Sequence, residues 1–561
     1  MTLFEQILKA RGLIGEAREP FLNPDYMSGH DPFLLPDMAK AVERLIQARE
    51  RQEHITIYGD YDIDGLTATT VLVEALTAFG FRFVETFIPN RFIEGYGMTV
   101  EAVERIAGTG ATLIITVDCG SLSEGPITRA KELGLDVIVT DHHNVAPIQP
   151  PAVAVINPKR LLQGNPTRYK ELRLVKVIKT KPLYPFLDLP GVGVAFKLVQ
   201  ALQTRLDGLP LGQEKWLLDL VALGTVCDVV TLVDENRTHV YWGLKVLAKT
   251  KRPGLRALMA VAGVEPEKVT ARSLGFALGP RMNAAGRLET ARYAQELLLT
   301  KKGDVALERA ELLDTMNAER RAAQDEIYRE AVAQAEQYRY DSVLVVSAPE
   351  WNHGIVGIVA AKLLEKYKKP TFVLQELGQE AKGSARSYGD FSAADAIRAA
   401  EDLITKGGGH KFAAGVTLPT GNIDLFRKRV NEHYSELKLA PQAPLLLTHA
   451  DVSIDNFSEV NESLLQQISQ LEPFGNGNPE PIFVAHNVTV VDVRRMGSDA
   501  QHLKLRVNDT IGTAFELVAF SAPESWFAQP GEVVSVWFEP MLNEWRGVRS
   551  VEGRLLNLES A

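Results

Sequence analysis

Three aspartates stand at alternate positions in the hexapeptide DYDIDG: Asp60, Asp62 and Asp64. Carboxylates this close repel one another, and the cluster costs free energy unless a cation neutralises it. An acidic surface turn is the plain alternative for the fragment taken alone. A calcium loop of the EF-hand type also opens D-x-D-x-D-G, but it needs a bidentate acid at its twelfth position. Counted from Asp60, that residue is Val71, inside an apolar helical pattern, so the calcium loop is rejected. Further along, VDCG carries Asp118, VTDHHN carries Asp141, His142 and His143, and GTVCDVV carries Asp228. An Asp-His-His run alone can be a helix cap with polar neighbours. Joined to the other acids it reads as a ligand set, because mixed carboxylate and imidazole donors suit manganese, magnesium and related divalent ions. Asp62, Asp64, Asp118, His142 and Asp228, with Asp60 nearby, are too many ligands for one open catalytic ion. They suit two ions about 4 Å apart, with Asp118 the candidate bridge. Such a pair makes hydroxide from water and stabilises both the attacking and the leaving oxygen at phosphorus. The chemistry implied is phosphoester hydrolysis.

The elements must bring these side chains to one place. HITIYG is a short apolar strand that runs into DYDIDG and then a helix, LTATTVLVEALTAFG. Strands at FRFVETFIP, TLIITVD, DVIVTD and AVAVINP follow, interleaved with helices at VEAVERIAG and ITRAKELG. This alternation predicts a parallel sheet with helices on both faces. Ligands of such sheets bind beyond the carboxyl ends of the strands, and the acids and histidines fall at three of those ends. After residue 185 the pattern turns helical, through GVAFKLVQALQTRL and EKWLLDLVALGTVCDVV. A long helical stretch from about Asp304 to Tyr338 reads equally as a connector or as a helix packed on a neighbour. A second, smaller α/β unit begins at DSVLVVSAP, includes GIVGIVAAKLLEKY, PTFVLQEL and the glycine-rich GGGHKFAAG, and ends near residue 436. LAPQAP reads as a linker. Beyond residue 445 come closely spaced strands, PIFVAHNVTVVDVRRM, HLKLRVND, AFELVAF, VVSVWFEP and VRSVEGRLLNLES, which predict an all-β barrel or sandwich.

The chain has 561 residues, too many for one hydrophobic core, so two to four domains are expected. No stretch is apolar for the length of a membrane helix. The N-terminus has an acid, Glu5, among its apolar positions and no cleavage-site pattern, so it does not read as a signal peptide. With Cys119 and Cys227 the only cysteines, neither a disulfide framework nor a cysteine zinc site is expected. A cytoplasmic protein is the simplest reading. The net charge of −10 counts against a non-specific nucleic-acid binder, but gathered metal-binding carboxylates make any enzyme acidic overall. The bases cluster locally: Lys159, Arg160, Arg168, Lys170, Arg173, Lys176, Lys179 and Lys181 stand against the single acid Glu171. That stretch is either a solvated insertion or an arm that contacts a phosphate backbone.

YGDYDIDG, VDCG, TDHH and GTVCDVV resemble, in order, the four motifs of the DHH phosphoesterase superfamily. GPRMNAAGRL, WNHGIVGIVAAKL, GSARS and GGGHKFAAG resemble the bacterial RecJ-type single-strand-specific exonucleases and their DHH-associated domain, and LEPFGNGNPEPIF resembles the lead-in to their oligonucleotide-binding barrel. The resemblance covers nearly the whole chain. It implies a DHH domain with an N-terminal extension over residues 1–300, a connecting helix over 301–340, a DHH-associated domain over 341–436 and an OB-fold domain over 443–561. It also implies 5′→3′ digestion of single-stranded DNA to mononucleotides with manganese or magnesium, in DNA repair and recombination. Carried over, Asp62, Asp64, Asp118, His142 and Asp228 are metal ligands. Asp60 sits in the same motif at or just behind the ions, and His143 contacts the scissile phosphate or positions the water. Arg91 and Arg281 are phosphate binders, and Ser384, Arg386 and His410 grip the strand end; pairing of Arg281 with an acid such as Glu289, and a capping or linker role for GGGH, are the bland alternatives. Glycines near these residues let backbone amides approach a phosphate. In the barrel Phe474, Trp537 and Trp545 are candidates for stacking on bases, with core packing the alternative. A monomer is expected, with a single-strand-binding protein and a helicase as possible partners and no membrane. The basic stretch 159–181 looks longer than the matching region of the family, and the resemblance gives it no role. Two rivals differ in class. One is a DHH enzyme on short oligonucleotides, cyclic dinucleotides or pyrophosphate, which would need neither the barrel nor this length. The other is a non-catalytic replication scaffold, which would not need the self-repelling acids.

Overall fold

The computed structural model describes residues 1–160, 184–439, 449–497, 500–545 and 547–560, with the Trp545 side chain left out. Of the basic stretch only Lys159 and Arg160 are among them. The chain divides into two compact units.

The larger unit comprises His30–Val230 and Gly243–Gln442. Its first half is built on a five-stranded, all-parallel sheet of β1 (His54–Tyr58), β2 (Phe83–Phe87), β3 (Leu113–Val117), β4 (Asp136–Thr140) and β5 (Ala154–Ile156), in the order β2-β1-β3-β4-β5. The central strands are continuous apolar runs because both faces are covered. Register aligns their carboxyl ends: Tyr58 pairs with Thr116, and Val117 with Thr140. DYDIDG, Asp118 and Asp141–His143 therefore leave the sheet at one edge. Around that edge stand α1 (Ile63–Ala78), α2 (Gly191–Gln203) and α3 (Leu218–Cys227), each buried along most of its length.

The second half of this unit follows α4 (Gly279–Leu288) and α5 (Gly303–Gln337), a helix of 35 residues. The helix both connects and packs. Its Ile327, Ala331 and Ala335 enter the core of the next sheet beside Leu344, Val346 and Trp351. That sheet, β6 (Leu344–Ala348), β7 (Thr371–Leu377), β8 (Glu380–Arg386), β9 (Lys406–Gly409) and β10 (Ala413–Pro419), has the order β6-β7-β8-β10-β9 and is parallel only between β6 and β7. One of its faces is covered by α6 (Val356–Tyr367), whose Val356, Val359 and Ala360 share the cluster of Leu344 and Val346. GGGH is thus not a loose linker, for its glycines form an edge strand paired with β10.

The smaller unit comprises Met1–Gly29, Thr231–Trp242 and Ala443–Ala561. Five strands close into a barrel: β12 (Phe483–Met496), β13 (His502–Asn508), β14 (Ala514–Ala519), β16 (Val548–Ser560) and β15 (Val533–Trp545), with β15 pairing back onto β12. A short strand, β11 (Val452–Ile454), adds parallel to β12. Bulges in β12 after Ala485 and Val490 supply the bend that lets it pair on both sides. Stacked Phe457 and Phe515, with ring centres 4.7 Å apart, and Phe538 at 5.2 Å from Phe515 fill the interior. The expected boundary of a domain running from residue 1 to 300 differs here. Leu3, Phe4, Ile7 and Leu8 of the first helix (Leu3–Ala10) lie in the barrel's cluster, because that helix has an apolar face and the barrel buries it. Trp537 is buried at 7% exposure and Phe474 packs against the same cluster, so both serve the core rather than an open stacking surface.

Arg237 ties the three segments of this unit together. Its guanidinium donates to the carbonyls of Phe21, Leu471, Glu472 and Pro473 and lies 3.7 Å from the Phe21 ring centre. Burial, with no acid among the described contacts to offset it, pushes its pKa down to about 10. Arg237→Ala strips four carbonyls of a charged donor and is expected to cost about 3 kcal/mol in this unit. Thermal unfolding of the variant should show an earlier transition. An unchanged transition would mean that water replaces the guanidinium.

Candidate metal centre

Asp60 and Asp62 follow β1 in a loop pinned beneath α1. Asp62 caps that helix, accepting from the Gly65 amide at 3.2 Å. A Cβ at Gly65 would stand 2.6 Å from the Asp60 backbone N and O, so only glycine lets the helix start this close to the acids. Asp64, on the first turn, turns both oxygens to the start of α2, accepting from the amides of Gly191 at 2.6 Å and Val192 at 2.8 Å. A helix N-terminus is suited to hold a carboxylate. Asp118, just past β3, has a left-handed φ of +60°, a conformation aspartate tolerates better than most residues. Its side chain faces Gly191, where a Cβ would fall 2.6 Å from the Asp118 Cβ. Gly191→Ala is therefore expected to displace Asp118 and lower kcat/KM about 10²-fold with helix content intact. Wild-type turnover in that variant would show that the approach is not needed.

His142 and His143 leave β4 together. His142 Nε2 lies 3.1 Å from Asp118 Oδ1, 3.7 Å from Asp228 Oδ2 and 3.8 Å from Asp64 Oδ2. Candidate donor atoms form three sets, each within 4.8 Å: Asp64, His142 and Asp228; Asp60, Asp62 and Asp118; and Asp118, His142 and His143. Asp118 belongs to two of them. Four buried atoms here, Asp60 Oδ1, Asp118 Oδ1, His142 Nε2 and Asp228 Oδ2, have no hydrogen-bond partner among the described residues. Orphaned polar atoms are costly to bury. Four of them converging from separate elements fit divalent cations, and the donor set is the oxygen-rich, imidazole-containing kind that manganese and magnesium accept.

The electrostatics agree. Burial and then the Asp62 charge raise the Asp60 carboxyl well above its ordinary range. Burial and then the charges of Asp64, Asp62 and Asp228 do the same to Asp118. Burial and then Asp62 push Asp64 up to about 7, against the opposing amides of Val192 and Gly191. Burial and then Asp64 and Asp62 push Asp228 up to about 9. His142 is driven down to about 3 by burial and by the neighbouring His143, so it stands neutral with a lone pair to offer.

Asp141 behaves oppositely and has a different task, which its place in the sequence does not separate from its neighbours. It accepts from the amides of His142 at 2.7 Å, His143 at 3.0 Å and Ser121 at 2.9 Å, and pairs with His143 Nδ1 at 2.9 Å. Burial would raise its carboxyl, but the hydrogen bond and charge of His143 outweigh that and hold it far below the usual range. His143 is raised in turn, because the bond and charge of Asp141 overcome burial. Tyr96 closes the far side of the His143 ring, its hydroxyl 3.2 Å from the ring nitrogens. A carboxylate that orients a histidine is the missing partner such a site needs.

Beside the acids lies a group of arginines. Arg91 lies over the Tyr61 ring at 4.1 Å and donates to the Gly286 carbonyl. Arg287, at the end of α4, donates to the Gly354 carbonyl. Its pKa is pushed down to about 10 by burial and then by the charges of Arg91, Arg320 and Arg386. Arg386 donates to the Ala385 carbonyl and, with Ser384 on the same face of β8, faces Gly357 of α6. A Cβ there would fall 3.2 Å from Ser384 Oγ and 3.3 Å from the Arg386 guanidinium. Guanidinium charges that act on one another in this way suit an anion. Sequence reasoning misses Arg287, because its position beside Arg91 and Arg386 marks it and its spacing does not. Arg281 stands apart: its Nε pairs with Asp314 of α5 at 2.8 Å and its Nη1 with the Ala277 carbonyl. Its ion pair is thus with Asp314 and not with Glu289, which instead accepts from the Tyr293 hydroxyl. His410 meets Asn144, two residues past His142, with 3.3 Å between their nitrogens, so the end of β9 reaches the rim of the metal site.

A parallel sheet that gathers acids and histidines at its carboxyl edge, followed by a second α/β half, defines a DHH-type phosphoesterase. Residues 54–225 match the DHH family, N-terminal domain, residues 341–436 the DHHA1 domain and residues 451–556 the RecJ OB domain. The chain belongs to the RecJ family of single-stranded-DNA-specific exonucleases. It is 37% identical to single-stranded-DNA-specific exonuclease RecJ of Bacillus subtilis over 97% of this chain and 66% of that protein. It is 35% identical to the same exonuclease of Escherichia coli over 92% of this chain and 89% of the relative. The chain thus spans about two thirds of the Bacillus relative's length. The crystal structure of RecJ from Thermus thermophilus in complex with Mn2+ superposes with a TM-score of 0.82 at 30% identity, covering 100% of this chain and 76% of that one. The Mg2+ complex gives 0.76 at 28% identity, covering 74% of that chain.

Proposed function

We infer that the protein is a metal-dependent exonuclease that digests single-stranded DNA from its 5′ end to mononucleotides. The observation that carries the reading is the convergence of four orphaned buried donor atoms from Asp60, Asp118, His142 and Asp228, next to a group of mutually repelling arginines. A non-catalytic scaffold would have no use for that arrangement. Asp64, His142 and Asp228 would hold one ion and Asp60 and Asp62 another, with Asp118 between them. Manganese and magnesium are the candidates. When bound, the ions supply hydroxide at neutral pH and stabilise the attacking and leaving oxygens at phosphorus. His143, kept charged and oriented by Asp141, donates to an oxygen of the scissile phosphate. Arg91, Arg287, Arg386 and Ser384 bind the terminal phosphate, arginine forks meeting two oxygens at once. A terminal phosphate anchored beside the metal centre sets both polarity and product length. His410 reaches this rim through Asn144. Arg281, committed to Asp314, acts by bracing α4 against α5.

No helix among the described residues is long and apolar enough to cross a membrane. A cytoplasmic monomer that takes its strand from a helicase and a single-strand-binding protein completes the proposal, because a single-strand enzyme needs a supply of unwound DNA. The test is digestion of single strands labelled at either end, with manganese, magnesium or chelator. A 5′ label should leave at once as a mononucleotide, a 3′ label should shorten stepwise, and chelator should stop both. Digestion of dinucleotides alone, or release first from the 3′ end, would overturn the reading.

A further inference from the structure

The segment before α4 has a form that the metal centre does not require. Thr270 and Ser273 cap each other to start a short helix, and Leu274–Leu278 then widens into a π-helical turn. Such turns are rare and concentrate at functional sites. Leu274 and Leu278 are fully buried, and between them Phe276 is turned outward at 72% exposure. Single exposed apolar residues are ordinary. This one has company: the Arg272 guanidinium carbon lies 5.3 Å from its ring centre, and Arg272 makes no ion pair among the described residues. The turn also packs on residues adjoining the candidate ligands. The Leu274 carbonyl accepts from Cys227 Sγ at 3.7 Å, next to Asp228. A Cβ on Gly279 would stand 2.8 Å from the same sulfur and 3.5 Å from Ile63, which lies between Asp62 and Asp64.

We propose that Phe276 is a stacking platform for one nucleobase of the single strand beside the metal centre, with Arg272 holding the adjoining phosphate. The proposal rests on the exonuclease reading and extends it from the reacting phosphate to a neighbouring nucleotide. An aromatic face with a cation at its edge is the pairing that holds single strands regardless of sequence, since every base has a π-face. The ring needs no packing partner of its own, because the buried leucines on either side hold the turn.

The experiment uses the full chain with Mn2+ and a 20-nucleotide single strand, together with a series carrying one abasic site at each position in turn. For the wild type, an abasic site at one position near the 5′ end should raise KM about tenfold. Phe276→Ala should raise KM about tenfold on the intact strand, leave kcat within about twofold, and show no further loss at that abasic position. Phe276→Trp should restore the intact-strand KM and Phe276→Leu should not. Because the ring is exposed, thermal stability should be unchanged. A wild-type KM for Phe276→Ala, or a loss that adds to every abasic site alike, would overturn the platform while the exonuclease reading stands. A wild-type enzyme that digests no strand in this assay would remove both.

Discussion

Asp118→Asn is expected to lower single-strand digestion by at least about 10³-fold while the strand still binds. The substitution is chosen for the backbone. Asp118 sits at a φ of +60°, which asparagine adopts as readily as aspartate, and its neighbour Gly191 leaves no room for a larger group. What changes is charge at the one acid that belongs to both the Asp60–Asp62 set and the His142–His143 set. Loss of a bridge should weaken the grip on both ions, so calorimetric titration with Mn2+ should show weaker binding as well as slower turnover. Binding of a labelled strand, measured with calcium in place of manganese, should stay within about threefold, because the arginines proposed to bind the phosphate are untouched. Retention of more than a tenth of wild-type digestion would rule out Asp118 as the shared ligand.

The second large effect is on stability. In metal-free protein the carboxyls of Asp228 and Asp64 are raised to about 9 and about 7, and those of Asp60 and Asp118 are raised as well. The folded state therefore keeps protons that the unfolded chain has released above about pH 4. By linkage, stability falls as pH rises through the folded values. His142 and Asp141 are lowered and act in the other sense, but only below the ordinary histidine value near 6.5. His143 is raised and adds to the fall. Between pH 7 and 9 His142 and Asp141 no longer contribute, and the raised groups all point the same way. Chelator-treated protein should lose about 1.4 kcal/mol per pH unit for each retained proton over that range, seen as a falling midpoint of thermal unfolding. Saturating Mn2+ should flatten or reverse the trend, since the ions take the deprotonated ligands and their stabilisation grows with pH. Asp228→Asn should flatten it without metal. A midpoint that rises from pH 7 to 9 in chelator would show that these acids are not buried as a group.

Much of this was legible in the sequence, and the reasons are local. Three strands of the parallel sheet, β1, β3 and β4, are largely apolar runs each ending in its own chemistry, so the edge carrying Asp60, Asp118 and His142 is legible from the sequence. The barrel strands are legible as closely spaced short strands, and the motif order adds the side chains proposed to bind phosphate. Features decided by approach in space could not be read. Asp141 lies in the same tripeptide as His142 and His143, and only its four hydrogen-bond donors separate the orienting acid from the candidate ligands. Arg281 and Arg287 share one helix and look alike in sequence, yet Asp314 takes the first while the second feels the charges of three other arginines. The first helix reads as an extension of the catalytic domain, because sequence does not record that its apolar face is buried more than 400 residues downstream in the barrel cluster.

That last arrangement bears on how the chain is made. Leu3, Phe4, Ile7 and Leu8 leave the ribosome long before the strands that bury them. Through that interval this apolar face has no native partner, a state in which nascent chains invite chaperones or misassembly. The segment around Arg237, made midway, cannot collect its carbonyls from Leu471–Pro473 any sooner. The catalytic sheet can close while synthesis continues, whereas the barrel unit must wait to join its oldest residues to its newest.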